Sequence, residues 1–169
     1  MQAEASVGDG AFTSPATVPL VEEELLGCKA WAERNGVALD WLSPELVLRV
    51  TLIQPASSEK FYLAGEFGGY KALPPAWEFY DAEWKECGLK HLYPAAAGPP
   101  GKGSIFHTKP VICAPFNRLA YKEHGGPHED WGGASQWLNA GKNYIQAHTI
   151  GDMLAAVVRD LAYGSGRMQ

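Results

Sequence analysis

The stretches Glu45-Leu46-Val47-Leu48-Arg49-Val50-Thr51-Leu52-Ile53 and Lys60-Phe61-Tyr62-Leu63-Ala64-Gly65-Glu66-Phe67 decide the fold. Both are rich in β-branched, aromatic and aliphatic residues, and both are too short for a typical helix, so they read as strands. Pro55 to Ser58 lies between them as a turn, and Gly68-Gly69 closes the second. After Pro74-Pro75, Trp77 to Tyr80 reads as a third, shorter strand. Strands joined by short turns predict an antiparallel meander.

Helical signals flank the meander. From Pro19 to Arg34, Val21, Leu25, Cys28 and Ala32 recur at helical spacing. Glu22, Glu23 and Glu24 fall in the expected first turn, where negative charge suits the helix dipole, and Asn35-Gly36 is a stop. Met1 to Val18, rich in Ala, Ser, Thr, Gly and Pro, reads as a flexible leader, leaving 19–169 as a single domain. Near the other end Thr149 caps a helix, with Asp152 three residues on. Ile150, Met153, Leu154, Val157, Val158 and Leu161 then share one face, and Gly164 ends it.

Between meander and last helix, Asp81 to Gly103 reads as a loop or insertion ending in Gly98-Pro99-Pro100-Gly101-Lys102-Gly103. Lys109 to Ile112 predicts a short strand leading into Cys113. Gly125-Gly126-Pro127 and Gly132-Gly133 predict loop, and Ser135 to Ala140 a helical turn. The expected class is α+β, with helices covering one side of a sheet.

The chain has 169 residues, 14 Lys+Arg and 19 Asp+Glu, giving a formal net charge of −5 and no electrostatic footprint for nucleic acid. No apolar run reaches the ~18 residues of a membrane span. The first residues lack the charged start and apolar core of a secretory signal. Three widely spaced cysteines are not a disulfide framework, so a cytoplasmic protein is expected.

Cys113 is the candidate nucleophile. It follows a β-prone stretch, precedes the bend at Pro115 and has polar residues on both sides. His107 is a candidate oxyanion donor or modulator of the thiol. Asn117 offers an amide to an oxyanion, and Arg118 a charge that favours thiolate; both equally suit holding the bend through backbone bonds. Cys28 reads as core packing and Cys87 as a plain loop thiol. His124 and His128 have ligand-like spacing, but Gly125-Gly126-Pro127 excludes a helix between them, so zinc would need a loop site with Cys113; no metal site is expected. Glu129 and Asp130 read as solvated loop carboxylates, with the alternative that one borders the thiol and helps deprotonate an incoming lysine, and Trp131 and Trp137 read as anchors.

Element order and four segments resemble the ubiquitin-conjugating enzyme family over roughly Pro19 to Tyr163. Phe61 to Tyr70 is similar to the family's second strand, and Pro74-Pro75-Ala76-Trp77-Glu78-Phe79 to its paired prolines and following strand. Pro110-Val111-Ile112-Cys113 is similar to the strand end carrying the thioester cysteine, and Trp131 with Thr149 to Leu154 to the later tryptophan and helix. Gly103 to Thr108 lacks the family's His-Pro-Asn motif, and one helix follows the cysteine where typical members have more. Both departures resemble the bacterial relatives found in ubiquitin-like conjugation and antiviral-defence operons.

The resemblance implies a UBC-like fold: N-terminal helix, antiparallel meander, cysteine-bearing loop and C-terminal helix. It implies that Cys113 takes a ubiquitin-like protein as a thioester from an activating enzyme and passes it to a target amine or other nucleophile, with His107 and Asn117 assisting. The first helix, with Glu22 to Glu24 and Lys29, would dock the activating enzyme. Implied partners are the ubiquitin-like protein, the activating enzyme and the target protein. No cofactor is implied, since adenylation belongs to the activating enzyme, and the chain has no Gly-x-x-x-x-Gly-Lys-Ser/Thr loop. Two alternatives stand beside this: a non-catalytic binding module of the same fold, and a thiol hydrolase pairing Cys113 with His124 or His128.

Overall fold

Alternate side chains of the meander face one core. In the computed structural model, which describes residues 15–141 and 146–169, β1 (Ala38–Leu42), β2 (Val47–Ile53), β3 (Lys60–Glu66) and β4 (Ala76–Tyr80) form an antiparallel sheet in the order β1-β2-β3-β4. The register sets Leu52 opposite Phe61, Val50 opposite Leu63 and Leu63 opposite Phe79. These five side chains are wholly buried. Gly65, opposite Trp77, leaves room for the indole: a Cβ there would lie 2.7 Å from the ring. Cross-strand apolar rows of this kind fix register, because a slip of one residue would turn every core side chain outward.

The expected strands at 45–53, 60–67 and 77–80 correspond to β2, β3 and β4. β1 is an additional strand. It lies at the sheet edge with no residue fully buried, so its sequence lacks clear alternation.

α1 spans Thr17–Arg34, two residues earlier than expected, so the leader boundary at 18 falls inside the helix. Residues 1–14 of that leader lie outside the described residues. The earlier start moves Glu22 to Glu24 out of the first turn. Glu24 is instead a clamp. Its carboxylate accepts bonds from the Tyr70 hydroxyl (2.8 Å), the Lys71 ammonium (3.2 Å) and the Ile150 amide (2.8 Å). The last is the first amide of α2 (Ile150–Leu161), where negative charge and a free N–H meet favourably. Thr149 caps α2 by accepting the Asp152 N–H, as expected. Gly151 permits the close approach of the helices, since a Cβ there would stand 3.1 Å from Cys28 Cβ.

The stretch 81–103 is irregular but anchored. After α2 the chain returns beside it: Pro94 bridges Arg167, the Ala95 amide donates to Gly166, and the Met168 amide donates to Tyr93. β5 (Phe106–His107) and β6 (Val111–Ile112) form a small hairpin directly before Cys113. Buried residues from Val21 to Met168 belong to one core cluster. The fold is thus mixed α+β, with a four-stranded antiparallel sheet and a helix near each end. Among the described residues no helix is long and apolar enough to cross a membrane.

Candidate active site

The turn after β6 presents Cys113, and polar contacts hold it from behind. The Cys113 amide donates to Ile105 O at 2.6 Å. That amide is therefore engaged and is no free oxyanion donor. Asn117 is fully buried: its Nδ2 donates to Ile112 O (2.9 Å), and its Oδ1 accepts from the Trp77 amide (2.9 Å) and the Leu119 amide (3.3 Å). The expected catalytic role for Asn117 is corrected accordingly, because its amide is spent tying the cysteine turn to β4. Arg118 likewise faces away, bonding Pro74 O, Gly68 O and Glu66. The Tyr121 hydroxyl closes the turn on Pro115 O at 2.8 Å.

The structure brings a different histidine to the sulfur. Cys113 Sγ stands 2.6 Å from His128 Nε2, and His128 Nδ1 stands 3.0 Å from Asp130 Oδ1. An ionised carboxylate only accepts, so Nδ1 carries a proton toward Asp130, and in the neutral ring Nε2 presents its lone pair to the thiol. Three supports hold the ring. It stacks on Trp131 (centroids 3.5 Å apart, planes 5° apart), Trp131 packs edge-on against Tyr121, and the His128 amide donates to Ala120 O. Asp130, expected as a solvated loop carboxylate, orients the imidazole.

Burial pushes the Cys113 thiol up to about 11, and the charge of Asp130 adds to the effect. At pH 7 that leaves about one thiolate in ten thousand. The resting group is therefore a thiol facing an imidazole nitrogen.

Cys113, His107 and His128 line one cavity of about 620 Å³, a size typical of ligand sites. Lys102, Ser104, Ile105 and Arg159 contribute to the same wall. His107 Nδ1 accepts the Lys109 amide at 3.2 Å, so a neutral ring carries its proton on Nε2 and can donate through it. His124 lies 3.8 Å from Glu123 and does not line the cavity. The described residues contain no group of three or more His, Cys, Asp or Glu side chains placed to hold a metal. The His128–Asp130 pair was visible only as a His-x-Asp-Trp run, which gives no direction in space without the turn that folds it back.

Comparison of the chain with family models, curated proteins and solved structures finds no match.

Proposed function

We propose that the chain is a ubiquitin-conjugating-like acyltransferase with a UBC-like fold, of the bacterial, cytoplasmic kind associated with ubiquitin-like conjugation and antiviral defence. The observation that carries this reading is the line Cys113–His128–Asp130 in the wall of a cavity. The order of helix, meander, cysteine-bearing turn and helix supports it, as do three cysteines without a disulfide among the described residues.

In the loading step, His128 Nε2 takes the thiol proton as Cys113 Sγ attacks the thioester carbonyl of a ubiquitin-like protein held by its activating enzyme. The His107 Nε2–H is one donor that the cavity wall offers to the oxyanion. The activating enzyme's thiolate departs and recovers the proton from His128. In the transfer step a target amine attacks the new thioester, Cys113 leaves as thiolate, and the proton lost by the amine returns to the sulfur through His128.

The test combines the protein with ATP and the activating enzyme and ubiquitin-like protein encoded by neighbouring genes, followed by a non-reducing gel. A thiol-sensitive adduct that needs ATP and disappears in Cys113→Ala is the expected result. An adduct that survives Cys113→Ala, or no adduct at all, overturns the reading. The same three groups favour one second reading, a thiol hydrolase in which His128 later activates water. Release of a ubiquitin-like tail without ATP would select it.

A further inference from the structure

Arg159 and Asp160 take no part in the proton transfers, yet they form a built feature of the cavity. Asp160 is wholly buried on α2, where an unpaired carboxylate would be costly. It is fully engaged: Oδ2 accepts the Ile105 amide (2.8 Å), while Oδ1 accepts Arg159 Nε (2.9 Å) and Nη2 (2.7 Å). The Ile105 carbonyl in turn accepts the Cys113 amide, so α2 sets the position of the cysteine turn through one residue. The guanidinium is thereby fixed in plane with its side chain 39% exposed, and it lines the cavity that holds Cys113. Among the described residues Arg159 Nη1 forms no bond.

Lys102 is a second cation on this wall, exposed at the end of the glycine-proline stretch. Among the described residues no Asp or Glu lines the cavity, although acidic residues outnumber basic ones in the chain, 19 to 14. Besides Cys113, His107 and His128, the remaining lining is small or apolar, as at Gly103, Ile105, Ala114 and Pro127. A guanidinium held by a buried carboxylate is a preorganised fork for an anionic oxygen, and a nearby ammonium adds a point charge.

We propose that Arg159 and Lys102 form a carboxylate-recognising subsite in the acyl cavity. The preferred acyl donor then carries an Asp or Glu side chain a few residues before the carbonyl that reaches Cys113. The inference rests on the thioester reading and names its substrate class.

The test uses synthetic peptide thioesters ending in Gly-Gly, which need neither ATP nor an activating enzyme. A single Glu is placed in turn at each of the four preceding positions and compared with Gln at that position, and acylation of Cys113 is followed by intact mass. The expected result is about tenfold faster loading for Glu at one position. That preference, read as the ratio of Glu to Gln loading within each variant, collapses in Lys102→Gln and in Arg159→Gln and partly survives in Arg159→Lys. Lys102 lies on an exposed loop, so its variant reports on the subsite even where Arg159→Gln disturbs folding. Equal loading of Glu and Gln peptides at every position overturns the subsite and leaves the thioester reading standing. Failure of every peptide to load also overturns it, while the ATP-dependent adduct assay judges the thioester reading separately.

Discussion

The sulfur of Cys113 is held as a thiol by burial and stands 2.6 Å from His128 Nε2, the base of the proposed reaction. Removing that base should slow loading far more than it affects stability. His128→Ala is expected to lower the rate of thioester formation by about 10²–10⁴-fold in single-turnover measurements. Asp130→Asn keeps the ring in place but weakens its hold on the Nδ1 proton, so a smaller loss is expected from the same assay. The raised thiol also links stability to pH. The unfolded chain releases this proton near 9.0 and the folded protein near 11, so between those values the folded state binds more protons. Stability should therefore fall as pH rises from about 9 to about 11. Cys113→Ser has no titrating group there, and its urea midpoint relative to the parent protein should rise across that window. A constant difference would show that the thiol is not raised.

At the scale of elements, the turn running from Tyr121 to Trp131 brings His128 to the sulfur. Gly126 makes that turn possible: a Cβ there would lie 2.2 Å from the backbone carbon of Ala120, which no side-chain rotation relieves. Ala120 also accepts the His128 amide. Gly126→Ala is expected to displace His128 and reduce loading about as much as His128→Ala, while the far-ultraviolet spectrum keeps its helix and sheet signals. The two helices are joined by a different device. Glu24→Ala leaves the Tyr70 hydroxyl and the Ile150 amide without their acceptor and removes the Lys71 pair, for an expected loss of about 2–3 kcal/mol in urea unfolding. The resemblance implied a docking face that includes Glu24; in the fold its carboxylate is engaged by Tyr70, Lys71 and the first amide of α2, contacts with segments distant in sequence.

Across the whole molecule, the segment after α2 ties the irregular stretch to the sheet. Arg167 donates to Leu92 O (3.2 Å) and Lys60 O (2.7 Å) and lies over the Phe61 ring at 4.2 Å. Arg167→Ala should lower stability by about 1–2 kcal/mol in thermal unfolding and leave the loading rate little changed at low temperature. The sequence by itself determined three of the four meander strands, both helices and the cap at Thr149, because periodicity and capping are local patterns that need no partner. It also singled out His107, which lines the cavity with Cys113. It did not separate a catalytic Asn117 from a structural one, since an amide serves either use and only the positions of Ile112 O, Trp77 N and Leu119 N decide. Nor did it choose His128 over His124. Three residues separate those histidines in the chain, and only the folding of a glycine-rich turn onto Ala120 brings one of them to the sulfur. Tertiary structure decided that pairing because contacts between segments distant in sequence leave no periodic trace in either segment.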